Sequence, residues 1–220
     1  MVQCATTHQD SILNDSIKAF WQLENINYPL LNLTKDERQS EIHFTENFTR
    51  LPCGRYQVRL PFKMSPSALG QSYDLALRRF RSLELRFRKD TTLHLQYKEF
   101  VNEFIFLSYM EPISDVDLSV PHYFIPHHHV LKPSSSTTKL RVVFDASSKT
   151  SSGVSLNELL LVGPAIQTDL LSTVLRFRYY TYVFTADFSK MYRQVSLHPN
   201  DRRFHYIPWR SDERDPIAIY

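Results

Sequence analysis

At 220 residues, 42% hydrophobic and 13% aromatic, the chain holds enough apolar side chain to pack one large domain or two small ones, which excludes a disordered tail. A net charge of +3 permits a polyanionic partner without demanding one, and two cysteines, Cys4 and Cys53, give no disulfide framework and suit a reducing compartment. No apolar run approaches the roughly 18 residues that span a bilayer, and the first residues lack the apolar core of a signal peptide, so a cytoplasmic protein without a membrane segment is expected.

Residues 11–26 carry Leu13, Ile17, Phe20, Trp21 and Leu23 at helical spacing. Thr34-Lys35-Asp36-Glu37 is a capping-box pattern opening a second helix toward Phe48, since threonine hydroxyl and glutamate each satisfy a free first-turn amide. Tyr56, Val58, Leu60 and Phe62 alternate with polar residues and Pro61, a half-buried strand closed by prolines at 61 and 66. Two long helices follow, near 70–89 with Leu77, Phe80, Leu83 and Phe87 on one face, and near 92–108 with Leu93, Tyr97, Phe100, Phe104 and Leu107. The first also carries Arg78, Arg79, Arg81, Arg86, Arg88 and Lys89 against Asp74, Glu84 and Asp90. Such a positive face is either a solvated surface or a nucleic-acid contact.

From Tyr123 the pattern turns to strands, 123–132 and 138–146, flanking the polar loop 133–137 as a hairpin. Lys139 and Arg141 point to one face of the second strand and Leu140 and Val142 to the other. Alternation carries on to Asp145, read as an ion-pair anchor for the hairpin. His127-His128-His129, with His122 nearby, raises zinc binding, which the alternation of strand side chains and the lack of a second ligand pair argue against. A loop at 149–153, a short helix at 156–160 and a helix with the stripe Ile166, Leu170, Leu171, Val174 and Leu175 come next. Residues 182–186 then read as a buried central strand, and Phe188 to Gln194 as a turn or short helix. A turn at 198–201, a strand at 203–209 and the start of another at 216–220 complete the chain.

Asp187 stands at the end of that apolar strand. A carboxylate there is costly unless something pairs it, and two partners suit it: the amides of a following helix, which it would cap, or a divalent cation.

Its surroundings resemble the first catalytic motif of reverse transcriptases of the BEL/Pao class of LTR retrotransposons, in which a strand-end Asp is followed five residues on by an aromatic and then a Gln: Asp187, Tyr192 and Gln194. The resemblance extends through Phe124 to Lys132, Thr137 to Ser147 and Ser155 to Pro164, and weakens back to about Phe20. It implies an α+β fold, an incomplete right-hand polymerase of fingers and opening palm behind a helical connector. The corresponding division is connector 1–62, basic helical pair 63–118, and fingers hairpin with beginning of palm 119–220.

By that resemblance Asp187, with the carbonyl of Phe188, holds the two Mg2+ ions of template-directed nucleotidyl transfer. Ser189, Lys190 and Met191 lie beside the incoming deoxynucleoside triphosphate, and the Tyr192 ring sits under its sugar as a steric filter against ribonucleotides, where the bland alternative is core packing. Lys139 and Arg141 contact phosphates and stack on the base, with surface cations as their alternative. Lys132, Arg78, Arg81 and Gln194 face the nucleic acid. The partners implied are an RNA template, a DNA primer, and the remaining polymerase and RNase H segments of a Pol polyprotein, in the cytoplasm or a virus-like particle.

The family pattern also needs an aromatic residue followed by two adjacent aspartates, and no adjacent pair occurs in these 220 residues. A fragment inactive by itself, with an exposed apolar sheet face, is the expectation. His205, where the family often has Gln, and Pro208, which lacks a strand donor, depart from the pattern. A noncatalytic remnant that binds RNA or an RNA–DNA hybrid is the competing reading, and a degenerate reading frame without function is the third.

Overall fold

The computed structural model describes residues 33–132, 140–167, 169–186 and 190–220. The helix expected at 11–26 lies outside them. Helix α1 (Lys35–Asn47) opens on the expected capping box: the Thr34 hydroxyl accepts from the Glu37 amide, and the Glu37 carboxylate accepts from the Thr34 amide at 2.7 Å. Strands β1 (Thr49–Arg50) and β2 (Tyr56–Val58) follow as an antiparallel pair.

Helices α2 (Tyr73–Lys89) and α3 (Thr91–Phe106) meet at Asp90, which ends one and caps the other by accepting from the Leu93 amide at 2.9 Å. Helix α2 starts later than residue 70 because Gly70 and Gln71 are held by the 150–152 turn. Their amides donate to the hydroxyls of Thr150, Ser151 and Ser152, and a Cβ on Gly70 would collide with Ser151 Oγ and the Ser152 amide. Phe80, Leu83 and Phe87 of α2 and Leu93, Tyr97 and Phe104 of α3 are buried together, as their three-and-four spacing requires.

Strands β3 (His127–Leu131) and β4 (Leu140–Phe144) form the expected antiparallel hairpin, with His127 opposite Phe144 and Val130 opposite Arg141. Its inner face packs Leu140, Val142 and Phe144 against the α2/α3 core. His127 is buried there: Tyr97 Oη donates to Nδ1 at 2.5 Å, and Nε2 donates to the Pro208 carbonyl at 3.0 Å. Burial pushes the His127 imidazole down to about 4, so it stays neutral and joins α3, the hairpin and the Pro208 strand. Along the run burial falls from buried His127 to half-buried His128 and His129.

Asp145 departs from expectation. Its carboxylate accepts from the Ser147 amide and the Ser148 hydroxyl, closing a turn, where an ion pair was expected. An Asp two residues ahead of a free amide satisfies that amide locally, and among the described residues its carboxylate makes no ion pair.

Helix α4 (Leu156–Leu159) is again boxed, by Ser155 and Glu158. A second core gathers Tyr123, Ile125, Leu156 and Phe204 around Phe62. Strand β5 (Val195–Leu197) lies parallel to β2, and Arg59 grips buried Asp201 through Nε and Nη2 while the Leu60 amide adds a third bond. These contacts tie residues 56–60 to 195–201.

One strand expectation holds in part and another fails. Residues 203–205 end a 3-10 helix (Pro199–His205), started by Pro199 after the His198 cap; Tyr206 makes a lone parallel bridge to Phe124, and β6 (Pro208–Trp209) pairs with β7 (Ala218–Ile219). Pro208 fits because its carbonyl, not its missing amide, carries the bond to His127. Residues 182–186 are neither a strand nor buried: Phe184 is 91% and Tyr182 82% exposed. The helix before them, α5 (Leu170–Tyr179), capped by Asp169, also buries no residue. Four β-prone residues, Tyr182 to Thr185, do not make a strand without a neighbour to take their amides and carbonyls, and the described strands pair elsewhere.

Candidate nucleotide and nucleic-acid site

Three groups of cations and one aromatic make up the site. On β4, Leu140, Val142 and Phe144 are half-buried and turned inward, so Arg141 and Val143 stand exposed on the open face of the hairpin. Alternation along β3 brings Lys132, also exposed, to the same face diagonally from Arg141. Lys139 lies outside the described residues.

The second group follows Asp187. Asp187, Phe188 and Ser189 lie outside the described residues, and the description resumes at Lys190, whose φ of 57° puts a non-glycine residue in the left-handed region. Such a conformation is held only when neighbours over-determine it. Here the Lys190 ammonium is ion-paired with Glu103 of α3. Met191–Gln194 then make one 3-10 turn, and the Arg193 guanidinium lies 4.0 Å over the Phe104 ring with Phe100 and Tyr109 also in reach. Between these two anchors Met191 is half-exposed and Tyr192 is 84% exposed, which excludes core packing for that ring; Gln194 is exposed as well.

Phe104 is the point where both groups meet. Phe144 at the end of β4 touches it at 6.1 Å between ring centroids, and Arg193 stacks on it. One helix therefore carries the hairpin and the turn. Residue spacing gave no role to Arg193 or Glu103; the signal for them was the Phe100/Phe104 stripe, whose faces need covering.

The third group stands apart on the outer face of α2. Arg78 and Arg81 are exposed, Arg78 reaching only the Asp74 carbonyl at 3.4 Å and Arg81 making no ion pair among the described residues. Arg88 differs, being clamped by both oxygens of Glu213. Arg210, from the loop beyond β6, is held in the same way by Glu84, the buried acid of α2. Nearby, His129 has a buried Nδ1 without a partner, and burial, reinforced by the positive charge of Arg86, lowers its imidazole below the usual range.

Among the described residues, no group of three or more His, Cys, Asp or Glu side chains converges as a metal site. No helix among them is long and apolar enough to cross a membrane. No protein-family model, no curated protein and no solved structure matches the chain.

Proposed function

We propose that the chain is a portion of an RNA-directed DNA polymerase of the BEL/Pao reverse transcriptase type, contributing the fingers hairpin and the opening of the palm. The observation that supports this most is the double use of Phe104, which seats the hairpin bearing Arg141 and the turn bearing Tyr192 on one helix. In that reading Arg141, with Lys139, grips triphosphate and base, the planar guanidinium serving both. Tyr192, exposed between the Lys190 and Arg193 anchors, offers its ring to the deoxyribose. Arg78, Arg81, Lys132 and Gln194 track the template–primer backbone. Mg2+ would be held by Asp187 and the Phe188 carbonyl, with further carboxylates that these 220 residues do not supply as an adjacent pair. When bound, the metal pair would steady the attacking and leaving oxygens.

A noncatalytic binder of RNA or of an RNA–DNA hybrid is the second reading, favoured by the exposed guanidinium of Arg81, which makes no ion pair among the described residues. Fluorescence anisotropy on a labelled RNA–DNA primer–template, titrated between 50 and 200 mM KCl, tests both, with the concentration range set by the steep salt dependence of phosphate contacts. Affinity falls linearly on logarithmic axes, and Arg78→Glu with Arg81→Glu lowers the slope by about 2. Salt-independent retention would remove both readings. Tighter binding in the presence of the template-matched dNTP, lost in Arg141→Glu, separates the polymerase reading from simple binding.

A further inference from the structure

The connection between β6 and β7 begins Arg210-Ser211-Asp212-Glu213-Arg214-Asp215, three carboxylates in six residues, and it lies against the arginine-bearing helix α2. Its base closes without its tip. Glu84 of α2 holds the Arg210 guanidinium through Nε at 2.7 Å and Nη2 at 3.0 Å, Arg210 Nη1 donates to the Asp215 carbonyl, and the Asp215 amide donates to the Asp212 carbonyl. The Asp212 carboxylate is taken by Arg214 beside it. Glu213 alone reaches back from the tip, both of its oxygens accepting from Arg88 Nε, at 2.7 and 2.9 Å. Because the two oxygens share Nε, the Nη edge of Arg88 makes no hydrogen bond among the described residues. The pair is also wet, the Arg88 side chain being 63% and the Glu213 side chain 36% exposed. An ion pair so placed contributes little to holding the fold.

We infer that Glu213 is a detachable acid latch, which occupies Arg88 until a nucleic-acid phosphate displaces it. Helix geometry places Arg88 in the arginine row of α2: it projects within about 20° of Arg81, two turns back, and about 40° from Glu84. Arg78 and Arg81 already stand exposed, so Arg88, once released, lengthens their row by about 10 Å. Phosphate competes for it on equal chemical terms, since carboxylate and phosphate both offer paired anionic oxygens to a guanidinium. The open Nη edge lets the phosphate arrive before the carboxylate leaves. Nothing else has to move, because Glu84 keeps its hold on Arg210, a pair with side chains only 9% and 20% exposed. The latch rests on the nucleic-acid reading of the α2 face, which both proposed functions share.

A double-mutant cycle of the full chain on the labelled RNA–DNA primer–template tests it. Glu213→Gln binds about threefold tighter than the parent at 50 mM KCl, and its salt slope is steeper by about 1. The parent lacks that increment because breaking the Arg88–Glu213 pair takes up the ions that the new phosphate contact releases. Adding Arg88→Gln to Glu213→Gln removes the gain, returning affinity to within about twofold of the parent and the slope to the parent's value. Neither variant moves the urea midpoint or Trp209 fluorescence, because the exposed pair touches no core. A Glu213→Gln protein that binds no tighter than a salt-sensitive parent would overturn the latch and leave the nucleic-acid reading standing. A gain of the same size in the Arg88→Gln background would also overturn it, since relief of general repulsion would then account for the effect. Retention of every variant without salt dependence would remove the reading and the latch together.

Discussion

Trp209 and Phe184 are both large aromatics in apolar surroundings of sequence, yet one is 1% and the other 91% exposed. Trp209 lies in a two-residue strand and is enclosed by Phe80, Phe87, Tyr97 and His127, side chains brought from two helices and a hairpin. Phe184 lies in a far more β-prone run and meets nothing comparable. Burial is therefore set by the neighbours that topology supplies, and hydrophobicity alone decides only what a segment would bury if offered a partner.

The sharpest way to break this contrast is truncation at both points. Trp209→Ala costs about 3–5 kcal/mol in urea unfolding, as large aromatics in filled cores do, while Phe184→Ala changes stability by less than about 0.5 kcal/mol. Equal costs would abolish the distinction between the two regions.

Acidification comes next. His127 is held neutral in the core, its folded value of about 4 lying below the ordinary 6.5, so its contribution is complete above pH 6.5 and is lost as pH falls toward 4. The shift corresponds to about 3 kcal/mol across that window, measured as the difference in unfolding free energy between the parent and His127→Gln. Residues 170–186 contain no histidine, and their hydrogen-exchange protection factors stay unchanged across that window.

Smaller again is the clamp between β2 and the 3-10 helix. Burial would raise the Asp201 carboxyl, but the two Arg59 bonds and the Leu60 amide outweigh it and hold it below its usual range. Arg59→Ala leaves that acid buried with one amide, at about 2 kcal/mol after allowing for the part of the arginine that meets water. The loss is present at neutral pH and disappears as the carboxyl becomes protonated in acid. A stability loss unchanged in acid would show that Arg59 acts by packing instead.

Much of the packed region was legible. The capping box at Thr34, the short helix after Ser155, the apolar faces of α2 and α3 and the β3–β4 hairpin all follow from local pattern, because caps and amphipathic spacing encode their own partners. What failed was non-local. The 182–186 run reads as buried from composition, but a strand needs a neighbour that no local pattern names. Pro199 and the His198 cap turned 199–205 into a 3-10 helix that buries Phe204, so only 208–209 of the expected 203–209 strand pair as one. Of the site, the outward face of Arg141 was readable by strand alternation. The grip of Arg193 on Phe104 was not, since it joins residues far apart in sequence.

The proposed function turns on whether Arg141 and Tyr192 address the same nucleotide. Photo-cross-linking with 5-azido-dUTP, bound to the full chain with a primer–template presenting adenine, measures this directly. Proteolytic mapping finds label on the peptide containing Arg141 and on the peptide containing Tyr192, and both labels fade together when unlabelled dTTP competes. Label confined to α1 or α5, or label that dTTP leaves unchanged, would contradict a shared nucleotide site.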